Sequence, residues 1–140
     1  ARRTYTIGLE MPENQNKTES KTVLVVEDEP RVRRYSCRIF ASLGYHILEA
    51  ENASMATDIL VDCHDEINLV FSDIVMPGDN NGRDLVQHVQ ASYPHIDVLL
   101  TSGFEKTMSN STQEEDNQVP VLKKPYTKED LVSALEELPV

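Results

Sequence analysis

Leu69-Val70-Phe71-Ser72-Asp73-Ile74-Val75-Met76-Pro77 is the stretch on which the fold turns. It reads as a buried strand that carries one carboxylate, Asp73, to its end and turns sharply at Pro77. A carboxylate in an apolar run costs free energy unless something pairs with it. Taken alone, such an aspartate serves as readily to cap a turn or a helix. What it means depends on which other residues can meet it.

Outward from this strand, apolar runs alternate with helical periodicities. Thr22-Val23-Leu24-Val25-Val26 is a largely β-branched run, as expected for a strand buried on both faces. It ends in Glu27-Asp28-Glu29 and Pro30; proline fits a first helical turn, and acidic residues there complement the helix dipole. Val32, Tyr35, Ile39 and Leu43 then recur at helical spacing, with Gly44 as the stop. Tyr45 to Ala50 reads as a second strand, and Asn52 caps a helix carrying Ala56, Ile59 and Leu60. The third strand runs from Ile67 to Ser72 and delivers Asp73.

Beyond Pro77, Gly78-Asp79-Asn80-Asn81-Gly82 is a loop of turn formers, followed by a helix with Leu85, Val86 and Val89 inward. Ile96 to Leu100 is a fourth strand ending in Thr101-Ser102-Gly103. Residues 105–118 are polar and lack an apolar period, with a short helix expected near their start. Val119 to Leu122 is a fifth strand ending in Lys123-Lys124-Pro125. Thr127-Lys128-Glu129-Asp130 has the pattern of a capping box, and Leu131, Ala134, Leu135 and Leu138 form the stripe of a last helix. Five β-then-α units predict an α/β fold with a doubly wound, five-stranded parallel sheet in the order 2-1-3-4-5.

Composition bounds the function. A chain of 140 residues, 39% hydrophobic and 26% charged, suits one soluble domain with one ordinary core. No apolar run approaches the ~20 residues that span a bilayer, and no signal-peptide pattern opens the chain. A net charge of −11 argues against direct nucleic-acid binding and favours cations or basic surfaces as partners. Cys37 and Cys63 both fall in predicted helices and read as reduced, packed thiols, which fits the cytoplasm. His46, His64, His88 and His95 are scattered, without metal-ligand spacing. Residues 3–9 alternate as a strand with Tyr5, Ile7 and Leu9 on one face, and residues 11–21 form a polar linker. The organisation expected is therefore a leader over residues 1–21 and a domain over residues 22–140.

In an open α/β sheet, ligands bind beyond the carboxyl ends of the strands, where the strand order reverses. Here that point lies between strands 1 and 3. Glu27 and Asp28 end strand 1, Asp73 ends strand 3, Thr101 and Ser102 end strand 4, and Lys124 ends strand 5. Three converging carboxylates raise one another's pKa values, and a hard divalent cation relieves the repulsion. Mg²⁺, which takes one or two carboxylates with waters and phosphate oxygens, suits an open rim; without thiolates or imidazoles, zinc does not. Lys124 and the Thr101 hydroxyl beside such a cation make a phosphoryl-binding set, with Asp73 as the nucleophile.

The motifs Val25-Val26-Glu27-Asp28-Glu29, Ser72-Asp73-Ile74-Val75-Met76-Pro77, Leu100-Thr101-Ser102-Gly103 and Lys124-Pro125-Tyr126 together resemble the receiver domain of two-component response regulators. The resemblance covers Thr22 to about Leu138 and implies a flavodoxin-like fold. It implies that Asp73 accepts a phosphoryl group from a phosphohistidine on a histidine kinase or histidine phosphotransfer protein. It implies Mg²⁺ bound by Asp28, Asp73 and the Val75 backbone carbonyl, with Glu27 acting through water; Mn²⁺ is able to substitute. Thr101 matches the switch hydroxyl and Lys124 the phosphate-binding lysine. Such a domain supports its own phosphorylation and dephosphorylation, and a cytoplasmic monomer without nucleic-acid or membrane contact is expected.

The Pro-Gly opening of the loop after strand 3, one residue longer than the commonest pattern, is similar to receivers of hybrid sensor histidine kinases. So are Thr101-Ser102-Gly103 and Lys123-Lys124-Pro125-Tyr126. Thr4 to Leu9 looks like the closing strand of a histidine-kinase ATPase domain, although none of the ATP-binding motifs is present; a parent kinase of this kind is compatible with membrane anchoring. In many receivers an aromatic residue stands three positions before the lysine; here it is Val121, which leaves residues 104–118 to carry the response. Two other readings compete. A Mg²⁺-dependent aspartyl-phosphate hydrolase needs a second acid two residues after the nucleophile, where this chain has Val75. A degenerate receiver serving only as a binding module has no need of the complete set of Glu27, Asp28, Asp73, Thr101 and Lys124.

Overall fold

A strand that is apolar on both faces must be covered on both, and the computed structural model shows how the chain does it. It describes residues 20–76, 82–103 and 119–138. Within these, β1 (Thr22–Val26), β2 (His46–Ala50), β3 (Leu69–Asp73), β4 (Asp97–Ser102) and β5 (Val121–Lys123) form one sheet in the order β2-β1-β3-β4-β5. Every pairing is parallel. The helices among the described residues are α1 (Pro30–Ser42), α2 (Ala53–Cys63), α3 (Gly82–Ser92) and α4 (Lys128–Glu136). The strand order is the one the sequence predicts.

Alternation along β1 splits the core in two. Leu24 and Val26 face Ile59 and Leu60 of α2 and Leu85, Val86 and Val89 of α3. Val23 and Val25 face Ile39 and Phe40 of α1 and Leu131 of α4. The helix ends follow the local rules: the Glu29 carboxylate accepts from the Arg31 amide (2.8 Å) ahead of Pro30, and Asn52 accepts from Met55 (2.8 Å). Thr127 and Asp130 close a reciprocal capping box. Gly44, with φ of 95°, provides the left-handed residue that ends α1. Cys37 is half-buried, Cys63 is buried, and neither is in a disulfide. Burial pushes the Cys37 thiol up to about 12.

Boundaries and one helix face differ from the sequence reading. β3 begins at Leu69, not Ile67, because Ile67 still belongs to the turn leaving α2, where its amide bonds the His64 carbonyl (3.3 Å). β4 continues through Thr101 and Ser102, so the hydroxyls are part of the strand and not beyond it. β5 begins at Val121; Pro120 contributes only its carbonyl, which accepts from Leu100 (3.1 Å). On α1 the buried residues are Ser36, Ile39 and Phe40, whereas Tyr35 is 44% exposed. Phe40 settles the rotation by fitting edge-on against Tyr45 and Phe71, with centroids 5.0 and 5.1 Å away. Ser36 tolerates burial because its hydroxyl bonds the Val32 carbonyl and the Tyr126 hydroxyl. The expected strand over 3–9 and most of its linker, the turn at Pro77 and most of its loop, and the helix near residue 105 lie outside the described residues. No described helix is long and apolar enough to cross a membrane.

Phe40→Ala is expected to cost about 3–5 kcal/mol, and Tyr35→Phe about 1 kcal/mol for its single hydroxyl contact, both read from urea denaturation.

Candidate functional site

Parallel register brings the strand ends to one edge. Val26 pairs with Ser72, so Glu27 lies beside Asp73; Asp73 pairs with Thr101, and Ser102 with Lys123, one residue before Lys124. One carboxylate oxygen from each of Glu27, Asp28 and Asp73 lies within 4.8 Å of the other two. The structure gathers Glu27, Asp28, Asp73 and Lys124 at this edge and sets Thr101 beside Asp73 in the sheet.

Glu27 and Asp73 are 4% and 7% exposed, so their charges demand partners. The Lys124 ammonium donates to Glu27 Oε1 (2.9 Å) and to Asp73 Oδ2 (3.0 Å). The remaining oxygens are also used: Glu27 Oε2 accepts from the Glu29 amide (3.2 Å), and Asp73 Oδ1 from the Val75 amide (3.3 Å). Asp28 is exposed, and its carboxylate accepts no hydrogen bond among the described residues. Burial nevertheless dominates the titration of both inner acids: it raises Glu27 and Asp73 above their usual range, against the opposing pull of Lys124. For Lys124 burial works the other way, but its hydrogen bond to Glu27 and the charge of Asp73 outweigh it and keep the ammonium above its ordinary value. The site thus holds more negative charge than its one ammonium offsets, at a rim open to solvent through Asp28.

Thr101 is buried in β4, and its carbonyl accepts from the Ile74 amide (2.9 Å), which fixes the chain just past Asp73. Val75 is 40% exposed at the mouth of the site. Val121 is partly buried against the α2–α3 side of the core.

Three features escape sequence reasoning. Gly82, expected as a loop residue, opens α3, and its amide bonds the Ile74 carbonyl (2.8 Å). A Cβ there lands 2.7 Å from Ile74 Cα and into the Asp73 carbonyl, so only glycine lets α3 start against the Asp73 backbone. Tyr126 is buried behind Lys124; its hydroxyl bonds Ser36 and its carbonyl accepts from Tyr35 (2.6 Å). Arg33 reaches from α1 to the Glu27 carbonyl (2.7 Å) and Glu49 (3.1 Å). Nothing in the pattern of α1 separates Arg33 from the surface arginines beside it. The glycine-rich loop was the one available signal for Gly82.

A 2-1-3-4-5 parallel sheet with clustered acids, a strand-end hydroxyl and a lysine on its carboxyl rim is the architecture of two-component receivers. The chain belongs to the response regulator receiver domain family, which matches it over residues 23–136. It is 31% identical over 119 residues to a sensor kinase, CckA, of Brucella abortus (strain 2308), covering 85% of this chain and 12% of that kinase. It is 27% identical over 118 residues to the response regulator receiver protein CpdR of the same strain, covering 84% of this chain and 96% of CpdR. Among solved structures, the receiver domain of the hybrid histidine kinase CckA superposes with a TM-score of 0.67 at 26% identity, over 83% of this chain and 96% of that one. A receiver domain from Clostridium thermocellum shares the fold with a TM-score of 0.74 at 22% identity, over 83% and 91% of the two chains.

The raised carboxyls bind protons more tightly in the folded than in the unfolded chain. Their stabilising contribution is therefore full below the ordinary carboxylate range and lost as pH rises through the raised values. Asp73→Asn removes its share of that loss, so the metal-free variant is expected to be more stable than wild type at neutral pH. Its advantage shrinks in acid; urea titrations at both pH values measure the difference.

Proposed function

We propose that the domain accepts a phosphoryl group on Asp73 from a phosphohistidine of a histidine kinase or phosphotransfer protein. The observation that carries this reading is the rim itself: three carboxylates within 4.8 Å, two of them buried and bridged by one lysine. The donor set is all oxygen, three-fold acidic and partly open, which fits Mg²⁺ or Mn²⁺. Asp28, Asp73 and the Val75 carbonyl would hold the ion, with Glu27 acting through water. Such a cation supplies charge neutralisation at the phosphoryl oxygens.

The chain's own residues supply the rest. An Asp73 carboxylate oxygen forms the bond to phosphorus as the histidine N–P bond breaks; its nitrogen keeps the electron pair, and with the other ring nitrogen already protonated the donor leaves as neutral imidazole. Lys124 moves from bridging two carboxylates to pairing with a phosphoryl oxygen, and the Thr101 hydroxyl donates to another. Val75 covers the approach to Asp73 with an apolar side chain, which slows attack by water. The likeness to part of a sensor kinase supports an origin in a hybrid kinase, with residues 1–21 the link from an ATPase domain. Two cysteines outside any disulfide support a cytoplasmic setting.

Labelling with a small phosphodonor in the presence of Mg²⁺ tests this reading. Wild type is expected to take up label, Asp73→Asn none, and labelled Val75→Asn to lose its phosphoryl group faster than wild type. An unlabelled wild type, or an Asp73→Asn that labels, removes Asp73 as acceptor.

The partner's chemistry follows from α1. Arg31, Arg34 and Arg38 are exposed at helical spacing on one face, with Tyr35 beside them, in a chain of net charge −11. Their guanidinium groups make no ion pair among the described residues. Arg31 and Tyr35 also line a groove of about 550 Å³ with Val32, Lys124, Pro125 and Tyr126. A basic stripe beside an apolar groove fits a phosphodonor with an acidic helical face. Replacing both Arg34 and Arg38 by Glu is expected to slow transfer from a phosphohistidine protein at least several-fold at low salt, leaving labelling by the small donor unchanged.

A further inference from the structure

Asp28 presents a puzzle of positioning. Glu27 and Asp73 are each tied by Lys124 and by a backbone amide, but the Asp28 carboxylate has no hydrogen bond of its own among the described residues. Its direction is set by the backbone alone. That backbone is held at three points. The Glu27 amide donates to the Ala50 carbonyl at the end of β2 (3.0 Å), and the Glu29 amide is held by the Glu27 carboxylate (3.2 Å). The remaining point is the carbonyl of the peptide joining Glu27 to Asp28, which accepts from Arg33 Nη1 (2.7 Å).

Arg33 is itself fixed. Its Nε donates to Glu49 Oε1 (3.1 Å), and Glu49 lies on β2, paired with Val25 of β1. One planar guanidinium therefore spans from the β2 edge to the turn that carries both rim acids, using two of its donors at once. Arg33 meets the rim at the Glu27 carbonyl, while the Glu27 carboxylate is met by Lys124 and the Glu29 amide.

We propose that Arg33 is a positioning residue for the acidic rim: by clamping the Glu27–Asp28 peptide to Glu49 it pre-orients Asp28 for a divalent cation. The proposal rests on the reading of Glu27, Asp28 and Asp73 as a cation site. Without the clamp this peptide loses one of its three anchors, and the cation must then pay more of the ordering cost of Asp28 itself. Partners one step behind the ligands typically carry a 10- to 100-fold effect on metal affinity.

The test is calorimetric titration of MgCl₂ alone into the chain, without phosphodonor, alongside urea denaturation of each metal-free variant. Asp28→Asn is the control for the site. Arg33→Met keeps the bulk and removes both donors; it is expected to bind Mg²⁺ about 10-fold more weakly, with labelling at saturating Mg²⁺ close to wild type. Arg33→Lys, with one compact donor group, falls between the two, and Glu49→Gln loses less than Arg33→Met. Lowered stability with wild-type Mg²⁺ affinity in folded Arg33→Met overturns the proposal and leaves Arg33 a fold residue. Should Arg33→Met not fold, Arg33→Lys decides: weaker Mg²⁺ binding upholds the clamp and wild-type affinity overturns it. A wild type that binds no Mg²⁺, or an Asp28→Asn that binds it unchanged, instead removes the cation reading and the clamp's role with it.

Discussion

The Lys124 ammonium between Glu27 and Asp73 is the interaction on which the carboxyl rim of this sheet depends. Two carboxylates buried side by side carry a desolvation cost of several kcal/mol each, less whatever their partner returns. One lysine satisfies both, and the last strand exists in large part to deliver it. β5 has only three residues, and Lys124 follows directly, its amide tied to the Ser102 carbonyl (2.8 Å). Strand pairing thus fixes the ammonium relative to Asp73 through two neighbouring registers.

The bridge is also incomplete. One positive charge faces three carboxylates, and the two inner acids remain above their usual pKa range, chiefly through burial. A site with an excess of negative charge held in place by the fold attracts a cation from the open side, where Asp28 stands. The β1 strand beneath the rim is fully packed, with Val23 to Val26 at most 1% exposed.

Much of this was legible in the sequence because period and strand end carry the information. Continuous apolar runs named the strands, βα alternation named the parallel order, and the topology then gathered Glu27, Asp28, Asp73, Thr101 and Lys124 on one edge without any contact being known. What escaped was side-chain geometry across elements. The helical period of α1 gave Tyr35 a core position, but an aromatic ring at position 40 and a serine satisfied by Tyr126 rotate the helix. Arg33 and Glu49 lie 16 residues apart, and only the pairing of β2 with β1 makes them neighbours. Gly82 looked like a turn former, whereas its reason is the close approach of α3 to the Asp73 backbone.

The ends of the sheet carry a further consequence. An open parallel sheet leaves two strands with unpaired backbone groups, and such edges recruit other chains. At the β5 edge the exposed backbone is short, Pro120 just ahead of it lacks an amide hydrogen, and the Lys123 side chain projects an exposed charge. Brevity, a missing donor and a charge leave little template for another strand to extend. The same short strand that delivers Lys124 to the acidic rim therefore presents, among the described residues, little backbone for an added strand to pair with.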